Sequence, residues 1–472
     1  MKFAVGDDVG QVKVITTSRG IDTSVQTSAR PKITSYFEPG RNNAIQGLQV
    51  VNCRGRPSIA VASKGGLIRV LDPSVSPLAP ECEQILMRSE IPPFSPTDEA
   101  NIVGFGCTNG ILYACTSLGS AQFLRLGEGE VADDHITATH NFSPAEGSVA
   151  TFAIHPFERL AENPCIPKAI ALGGENRELE IWESSWVDGA VSWASIWKAK
   201  NVKPTKLGLE VPVWVTCIEF LPSITSPPVA PKPAPVPGRG RRWNSGVSQT
   251  PKNTYRIATG THYSHLRLYD TSVSRRPVFS STLSQTPILQ LRLHQSTPSD
   301  PHSQLASGKE APEVTNTLQN LHFIHTDKNG HFGLYSTHTR RSLGIYKGAT
   351  GAVLSVTTAE SEEGEYLVAG VGFDRYLWVY EGEERKMVSK VYAKTKGTSV
   401  VVLDVEDEVV EKKKKEKSVE DGVWDEMEEL VDDGVGDERG GDRDDYTGAL
   451  VKIKRKKGGI KPNDGGKKRR VD

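Results

Sequence analysis

The sequence lacks the features that mark membrane-spanning, disulfide-rich and zinc-bound proteins. It has six cysteines among 472 residues, and no two of them form a C-x-x-C pair. The usual zinc-ligand spacings are therefore missing, and we interpret the cysteines as reduced, buried thiols. There is also no run of about 18 apolar residues, and no apolar stretch of signal-peptide length at the beginning. We expect a soluble protein with no membrane segment, no bound metal and no cofactor.

Signatures of catalysis are also missing. The sequence contains no G-x-S-x-G elbow, no Walker loop and no H-E-x-x-H motif. Asp7 and Asp8 are adjacent carboxylates, which we interpret as support for a tight turn rather than as an acid–base pair. His322 and His325 have an odd spacing, which places them on opposite faces of a strand. The sequence therefore predicts no catalytic, cofactor-binding or metal-binding residues.

What the sequence does contain is one unit that recurs seven times. In each copy an apolar strand runs into small and polar residues and then into an alternating strand, a pattern typical of a β-hairpin. In the second strand the apolar side chains occupy alternate positions, as at Leu179 and Ile181, which places them on one face. The copies cover residues 3–15, 59–72, 102–115, 169–183, 256–270, 321–336 and 366–381.

Further strand-like segments flank several of these hairpins, for example 351–359 before the last copy and 387–393 after it. Four strands form one blade of a β-propeller, and seven copies fall within the usual number of blades. We therefore predict an all-β, seven-bladed, WD40-like β-propeller over residues 1–405. A β-sandwich does not need seven similar hairpins, and an α/β fold needs helices that the sequence lacks before residue 405.

The spacing of the copies is uneven, which predicts long insertions. Residues 223–252 are rich in proline, which lacks an amide donor, and residues 296–315 are rich in serine and proline. We predict surface loops at both places. The chain begins directly with a hairpin, and a lone strand, 398–405, follows the seventh copy. We predict that this strand completes the first blade and closes the ring, which removes an exposed sheet edge.

The composition changes at residue 406. Residues 406–472 hold 17 Lys/Arg and 20 Asp/Glu, and few of the others can build a core, so we predict a disordered tail. Residues 420–445 are mostly acidic, whereas three short runs are basic. Such basic runs are typical of nuclear import signals or RNA contacts, although a merely solubilising tail has the same composition. The candidate residues are Lys412, Lys413, Lys414, Lys415, Lys454, Arg455, Lys456, Lys457, Lys467, Lys468, Arg469 and Arg470.

Two smaller basic groups lie before the tail. Arg239, Arg241 and Arg242 precede Trp243 in the first long loop. Cations beside an aromatic side chain can bind RNA through phosphate contacts and base stacking, but a solvated loop explains them equally well. Arg340, Arg341 and Lys347 form a second candidate group, a basic rim at a blade edge.

The first fourteen residues, MKFAVGDDVGQVKV, together with irregular blades and a lysine-rich end, resemble the fungal Nop-seven-associated ribosome-biogenesis factors. These are counterparts of an animal nucleolar WD-repeat protein. The most specific parts are the first hairpin, the turn at 173–176 that leads into residues 179–183, and the lysine-rich end. Trp182 stands where a WD repeat has its tryptophan, with Glu183 in place of the aspartate.

The resemblance implies a non-catalytic assembly factor in biogenesis of the large (60S) ribosomal subunit, a scaffold in nucleolar pre-ribosomal particles that supports rRNA processing. It implies the pre-ribosomal particle, other nucleolar assembly factors and ribosomal RNA as partners, an AAA-type ATPase as release factor, and a location in the nucleus and nucleolus. We expect a monomer within a larger complex. Two alternatives remain: a propeller adaptor of a ubiquitin-ligase or chromatin complex, and a propeller hydrolase with acids or histidines at its central channel.

Overall fold

The computed structural model describes residues 1–407 except 27, 29, 92–99, 109, 127–135, 143–147, 157–159, 161–165, 188–189, 205–206, 223–253, 295–320 and 362–364. The long loops predicted near 223–252 and 296–315 lie outside these described residues. So does almost all of the predicted tail, 406–472.

The described residues form β-strands joined mainly by short turns, because apolar and polar side chains alternate along most segments. In chain order the first fourteen strands are β1 (Lys2–Asp7), β2 (Val12–Thr16), β3 (Lys32–Tyr36), β4 (Ile45–Cys53), β5 (Arg56–Ser63), β6 (Leu67–Leu71), β7 (Ile85–Glu90), β8 (Ile102–Thr108), β9 (Ile111–Thr116), β10 (Ser120–Arg125), β11 (Ile136–Asn141), β12 (Thr151–Ile154), β13 (Ala169–Gly174) and β14 (Arg177–Val187). The next fourteen are β15 (Ala190–Lys198), β16 (Val215–Phe220), β17 (Arg256–Thr261), β18 (His265–Asp270), β19 (Phe279–Thr282), β20 (Ile288–His294), β21 (His322–Asp327), β22 (Phe332–Ser336), β23 (Arg341–Ile345), β24 (Val353–Glu360), β25 (Tyr366–Gly372), β26 (Tyr376–Glu381), β27 (Met387–Tyr392) and β28 (Gly397–Asp404). The helical elements of the described chain are one four-residue helix, α1 (Glu81–Gln84), and two 3₁₀ turns at Arg41–Asn43 and Lys64–Gly66.

The strands form seven four-stranded antiparallel sheets, each a blade of the ring. From the inner to the outer strand the blades are β28-β1-β2-β3, β4-β5-β6-β7, β8-β9-β10-β11, β12-β13-β14-β15, β16-β17-β18-β19, β20-β21-β22-β23 and β24-β25-β26-β27. The prediction of an all-β, seven-bladed β-propeller is therefore confirmed.

The third blade differs from the predicted pattern. The predicted hairpins supply the second and third strands of six blades, but residues 102–115 supply the first and second strands, β8 and β9, of the third. The third strand there is β10, which follows β9 through a turn with Gly119 at φ 86°. In this region the strongest sequence signal for a hairpin turn is Asn109-Gly110, which lies between β8 and β9, the first and second strands of the blade. In the other blades the predicted hairpin turn lies between the second and third strands.

Neighbouring blades bury their apolar faces against each other. Seven core clusters occur, one at each junction between blades. At the junction of the seventh and first blades, Phe3, Val379 and Val400 are at most 3% exposed. Full burial of such a side chain contributes about 1.5–3 kcal/mol, so the junctions stabilise the ring as a whole.

The connections between strands alternate between two faces, because each blade is an antiparallel meander. We call upper the face with the turns between second and third strands and the connections from an outer strand to the next blade. The lower face has the remaining connections. The inner strands of the seven blades line a channel along the ring axis.

The two ends of the described chain are joined in two places by backbone hydrogen bonds, one within the first blade and one between the first and seventh blades. β28 pairs with β1 in antiparallel register from Asp404 opposite Lys2 to Gly397 opposite Asp7. On the outer edge, the Lys390 amide donates to the Ile21 carbonyl (2.8 Å). The connection after β2 therefore covers the edge of β27, so residues from near both ends of the described chain form the seam.

Candidate functional site: the channel, the seam and the upper face

The channel has a volume of about 960 Å³ and a lining that is largely polar or small. Gln46, Thr216 and Gln290 are among the polar lining residues, each from a different inner strand. Glu219 of β16 and Arg292 of β20 form an ion pair in this lining, with a carboxylate-to-guanidinium distance of 3.3 Å. These two charges partly neutralise each other, so the channel offers hydrogen-bonding groups more than net charge.

Burial disfavours the charged forms of the acidic and thiol groups of the channel region. Burial raises the pKa of Glu219, although Arg292 opposes this shift. Burial also raises the pKa of Cys107 to about 11 and the pKa values of Cys217 and Tyr113 to about 12. Because the thiolate is the reactive form of cysteine, these thiols are poor nucleophiles near neutral pH. Among the described residues, no group of three or more His, Cys, Asp or Glu side chains is placed to hold a metal ion.

The histidines of the sixth blade contact different neighbours. The ring of His322 stacks on His294, with centroids 6.3 Å apart, whereas the ring of His325 lies 5.1 Å from that of His331. Burial lowers the pKa values of His294 and His325 to about 4. Both are therefore neutral at physiological pH, where a general acid–base catalyst would be poised to change protonation.

Asp7 ends β1 and shapes the first turn of the upper face. Its Oδ1 accepts hydrogen bonds from the backbone amides of Val9 (3.1 Å) and Gln11 (2.7 Å). The prediction that Asp7 supports turn geometry is therefore confirmed. Asp8, the neighbouring residue, is half-buried.

The second oxygen of Asp7 takes part in a buried ion pair across the seam. Asp7 Oδ2 lies 3.0 Å from Lys13 Nζ and accepts a hydrogen bond from the Thr395 hydroxyl (2.8 Å). Lys13 Nζ also donates to the Ala393 carbonyl (2.9 Å). Both charged side chains are at most 5% exposed. This ion pair therefore fixes the connection between β27 and β28 on the first blade.

That connection places Lys396 over an exposed aromatic ring and Lys394 beside the turn that carries the ring. Lys396 Nζ lies 4.0 Å from the centroid of the Phe373 ring, and Phe373 is 53% exposed. The Ala393 amide donates to the Arg375 carbonyl (2.8 Å), which brings Lys394 next to Arg375. We call Phe373, Arg375, Lys394 and Lys396 the Phe373 patch. It lies on the upper face, where the turn between β25 and β26 meets the connection to β28.

The carboxylate of Asp374, the acidic residue in this turn, accepts hydrogen bonds from groups in and next to the turn. Asp374 accepts hydrogen bonds from the indole N–H of Trp378 (2.6 Å) and from the backbone amides of Thr350 and Tyr376 (both 3.2 Å). It therefore braces the turn instead of pairing with the cations of the Phe373 patch. Sequence reasoning missed this patch because its residues come from two separate connections.

The residues predicted from sequence as nuclear-targeting or RNA-contact candidates lie outside the described residues. This holds for the tail cations from Lys412 to Arg470 and for the loop of Arg239, Arg241, Arg242 and Trp243. Those candidates therefore stay predictions.

The basic rim of Arg340, Arg341 and Lys347 stays a prediction: these residues flank β23, the outer strand of the sixth blade, but do not meet at one end of it. Arg340 and Arg341 lie at the lower end of β23, and Lys347 follows its upper end. Because an extended strand rises about 3.3 Å per residue, the two groups lie on opposite faces of the ring. The guanidinium group of Arg340 lies 5.1 Å from the centroid of the Phe279 ring.

The fold of the described residues defines the class of this protein, a seven-bladed β-propeller. No helix among the described residues has the length and apolarity needed to cross a membrane.

The chain is similar over most of its length to curated fungal proteins. It is 25% identical over 450 residues to ribosome biogenesis protein NSA1 of Yarrowia lipolytica, covering 91% of this chain and 94% of that protein. It is 25% identical over 446 residues to ribosome biogenesis protein nsa1 of Schizosaccharomyces pombe, covering 91% and 96%. These relatives confirm the resemblance to the Nop-seven-associated ribosome-biogenesis factors.

The other two comparisons give less. No family model matches the chain. The crystal structure of Saccharomyces cerevisiae Sqt1 is similar with a TM-score of 0.43 and 10% identity, covering 76% of this chain and 77% of that one.

Proposed function

We propose that this protein is a non-catalytic assembly factor in biogenesis of the large (60S) ribosomal subunit. It acts as a scaffold in nucleolar pre-ribosomal particles and supports rRNA processing. The observation that supports the proposal is the similarity to two fungal ribosome biogenesis proteins over 91% of the chain.

The physical basis of such a role is a rigid ring with several separate surfaces. Core clusters at every blade junction hold the two faces and the outer edge in fixed relative positions. The Cys217 thiol in the channel and the His325 imidazole of the sixth blade are buried, and burial favours their neutral forms near neutral pH, which favours binding over chemistry. Partners on different surfaces can therefore be held together without any reaction at the ring.

The partners of this scaffold are the pre-ribosomal particle of the large subunit, other nucleolar assembly factors and ribosomal RNA. The protein enters the particle as a monomer. A scaffold with many simultaneous contacts dissociates slowly, so its removal needs an energy source, and an AAA-type ATPase supplies it. The tail cations and the Arg239–Trp243 loop add electrostatic attraction to RNA, and the tail directs the protein to the nucleus and nucleolus.

Affinity purification of the tagged full chain from nuclear extract, with RNA sequencing and mass spectrometry, tests the proposal. We expect large-subunit precursor RNA together with nucleolar assembly factors. Stoichiometric recovery of ubiquitin-ligase or histone subunits without precursor RNA would contradict the proposal and favour the other adaptor class. A matched purification of an unrelated tagged nuclear protein gives the background.

A further inference from the structure

We propose that the Phe373 patch is a binding site for single-stranded RNA. One base stacks on Phe373, and neighbouring phosphates contact Arg375, Lys394 and Lys396. The choice of RNA as the polyanion rests on the proposed function, but the site itself is defined by its geometry.

Among the residues that the structure describes, the cations of the patch have no acidic partner. Arg375 and Lys394 are exposed, and none of Arg375, Lys394 and Lys396 forms an ion pair within the described part of the chain. Asp374, which lies between Phe373 and Arg375, is bound by the Trp378 indole and two backbone amides. By contrast, two arginines on the lower face form ion pairs with an aspartate at or just after the end of the neighbouring strand of the same blade. These pairs are Arg56 with Asp72 and Arg256 with Asp270. Unpaired clustered cations attract a polyanion such as the phosphate backbone.

Two further lysines on the same face extend this charge. Lys328 and Lys347 are exposed and lie in the two upper-face connections of the sixth blade, next to the patch along the ring. Gly330, in the turn of Lys328, lies close to the backbone of Gly351, and the Phe373 amide donates a hydrogen bond to the carbonyl of the next residue, Ala352 (3.1 Å). Positive charge therefore continues from the sixth blade to the seam, a path that suits an extended chain of phosphates.

Phe373 distinguishes this surface from a simple basic patch. The phenyl ring of Phe373, with Lys396 over one face, is partly exposed and offers a planar surface to a stacking partner. The ammonium group of Lys396 lies over the ring, close to where a stacked base and its phosphate would lie. Proteins that bind single-stranded nucleic acids combine these two elements, a row of cations that contacts the phosphates and an aromatic side chain on which a base stacks. An acidic peptide would use the cations but leave the ring without a stacking partner.

The backbone of the patch is strained at both of its exposed cations. In every blade a residue just before the third strand has a positive φ, and in four blades it is glycine: Gly10, Gly66, Gly119 and Gly330. The seventh blade has Arg375 there, with φ 64°. Lys394 is also left-handed, with φ 71°.

Long side chains are disfavoured in that region of backbone space, and such outliers cluster at functional sites. The buried Asp7–Lys13 pair holds the connection of Lys394 and Lys396 in place. The geometry is therefore pre-organised before any RNA binds.

The test measures binding of the full chain to a fluorescent single-stranded oligouridylate by anisotropy at several salt concentrations. We expect Phe373→Leu to weaken binding roughly tenfold and to leave the salt dependence unchanged, because it removes stacking alone. The triple variant Arg375→Gln, Lys394→Gln, Lys396→Gln should weaken binding and lower the slope of log affinity against log salt by about 2. Two different signatures are thus predicted for neighbouring residues.

Matched controls come from the same face. Tyr263→Leu removes an aromatic ring that is 39% exposed in the turn of the fifth blade. The triple variant Lys64→Gln, Lys200→Gln, Lys203→Gln removes three exposed upper-face lysines away from the seam. Neither control should change affinity as much as its counterpart in the patch. Equal melting temperatures of all variants show that the ring is intact.

Crosslinking of the full chain to 4-thiouridine-labelled oligonucleotide separates this site from the tail. We expect a crosslinked peptide that contains Phe373. The proposal is overturned if crosslinks occur in the tail alone, or if both patch variants bind the oligouridylate like the wild type. It is also overturned if the patch variants lose binding to an oligoglutamate probe but keep RNA binding, because that result assigns the patch to an acidic peptide.

These outcomes are independent of the proposed function. Recovery of precursor RNA with a patch that does not bind oligouridylate would leave the assembly role standing and remove the RNA site. Failure to recover precursor RNA would remove the assembly role, while the binding measurements would still decide whether the patch binds RNA.

Discussion

Single aspartates define several turns of the ring. Asp7 and Asp327 each accept hydrogen bonds from the amides two and four positions later. Asp270 accepts from the amide and the hydroxyl of Ser272. In each case a short side chain satisfies backbone donors that the turn removes from the sheet, which explains why aspartate suits the end of a strand here.

The buried side chain of His325 in the sixth blade makes stability depend on pH. Burial, with a smaller effect of the neighbouring His331, lowers the pKa of His325 to about 4, although the nearby Asp327 opposes the shift. In the unfolded chain a histidine has a pKa of about 6.5, so the unfolded state binds more protons between these two values. The free energy of unfolding therefore falls as the pH drops below about 6.5. We expect His325 to account for a loss of roughly 2 kcal/mol between about pH 7.5 and about pH 5.

Urea denaturation at both pH values measures this contribution. The His325→Gln variant should show a smaller pH-dependent loss than the wild type, whatever its stability at neutral pH. His338→Gln, at an exposed position of the same blade, is the matched control and should retain the wild-type pH dependence. Identical pH dependence in the wild type and in His325→Gln would contradict the assignment.

At the scale of elements, the sequence of a hairpin does not determine which positions its two strands take in the blade. β8 and β9 are the inner pair of the third blade, whereas the similar pair β13 and β14 takes the second and third positions of the fourth. Both pairs alternate apolar and polar residues, and both are joined by a short turn. Only the number of strands on each side distinguishes them, and in the third blade the extra outer strands are β10 and β11.

β28 should be essential for the stability of the ring. It pairs with β1, and its Val400 and Val401 are at most 8% exposed, each in a different junction core. We expect a chain ending at residue 396 to lose more than about 5 kcal/mol in free energy of unfolding, from two buried side chains and a row of backbone hydrogen bonds. Such a loss is comparable to the total stability of many domains.

Guanidinium denaturation of chains 1–396 and 1–407 tests this expectation. The longer chain keeps β28 and serves as the control, so its midpoint should match that of the full chain. A chain 1–396 that unfolds in one cooperative transition at the same midpoint would show that the ring does not need β28.

At the scale of the whole molecule, the described ring and the charged segment that follows it have separate compositions and separate predicted tasks. The ring has cores at all seven junctions, which depend on apolar residues from every blade. The segment after residue 407 has alternating blocks of acidic and basic residues. Stability therefore belongs to the ring, and we expect targeting to belong to the basic runs.

Removal of residues 408–472 should leave thermal unfolding unchanged and abolish nuclear accumulation. A fluorescent fusion measures the ratio of nuclear to cytoplasmic signal. Glutamine in place of all twelve candidate tail cations should reproduce the loss of accumulation, because import receptors bind clustered cations. Neutralising the acidic residues within 420–445 is the matched control and should leave accumulation intact. Nuclear accumulation of the 1–407 chain equal to that of the full chain would refute the targeting role.

The sequence by itself determined the local structure and the class of fold. Alternation such as that of Leu179 and Ile181, with Asp, Asn and Gly in the turns, specifies hairpins because it depends on neighbours a few positions apart. Seven such units with flanking strands leave a propeller as the best packing of their apolar faces.

Only the tertiary structure decided which distant residues meet. Asp7 and Thr395 are hydrogen-bonded, and Arg375 adjoins Lys394, because ring closure brings the first blade, the seventh blade and their connections together. It also separated Arg340 and Lys347, which are close in sequence but lie at opposite ends of β23. Hydrophobic periodicity records which face of a strand is buried, but it holds no information on which blades become neighbours, so the Phe373 patch and the seam could be found only in the folded ring.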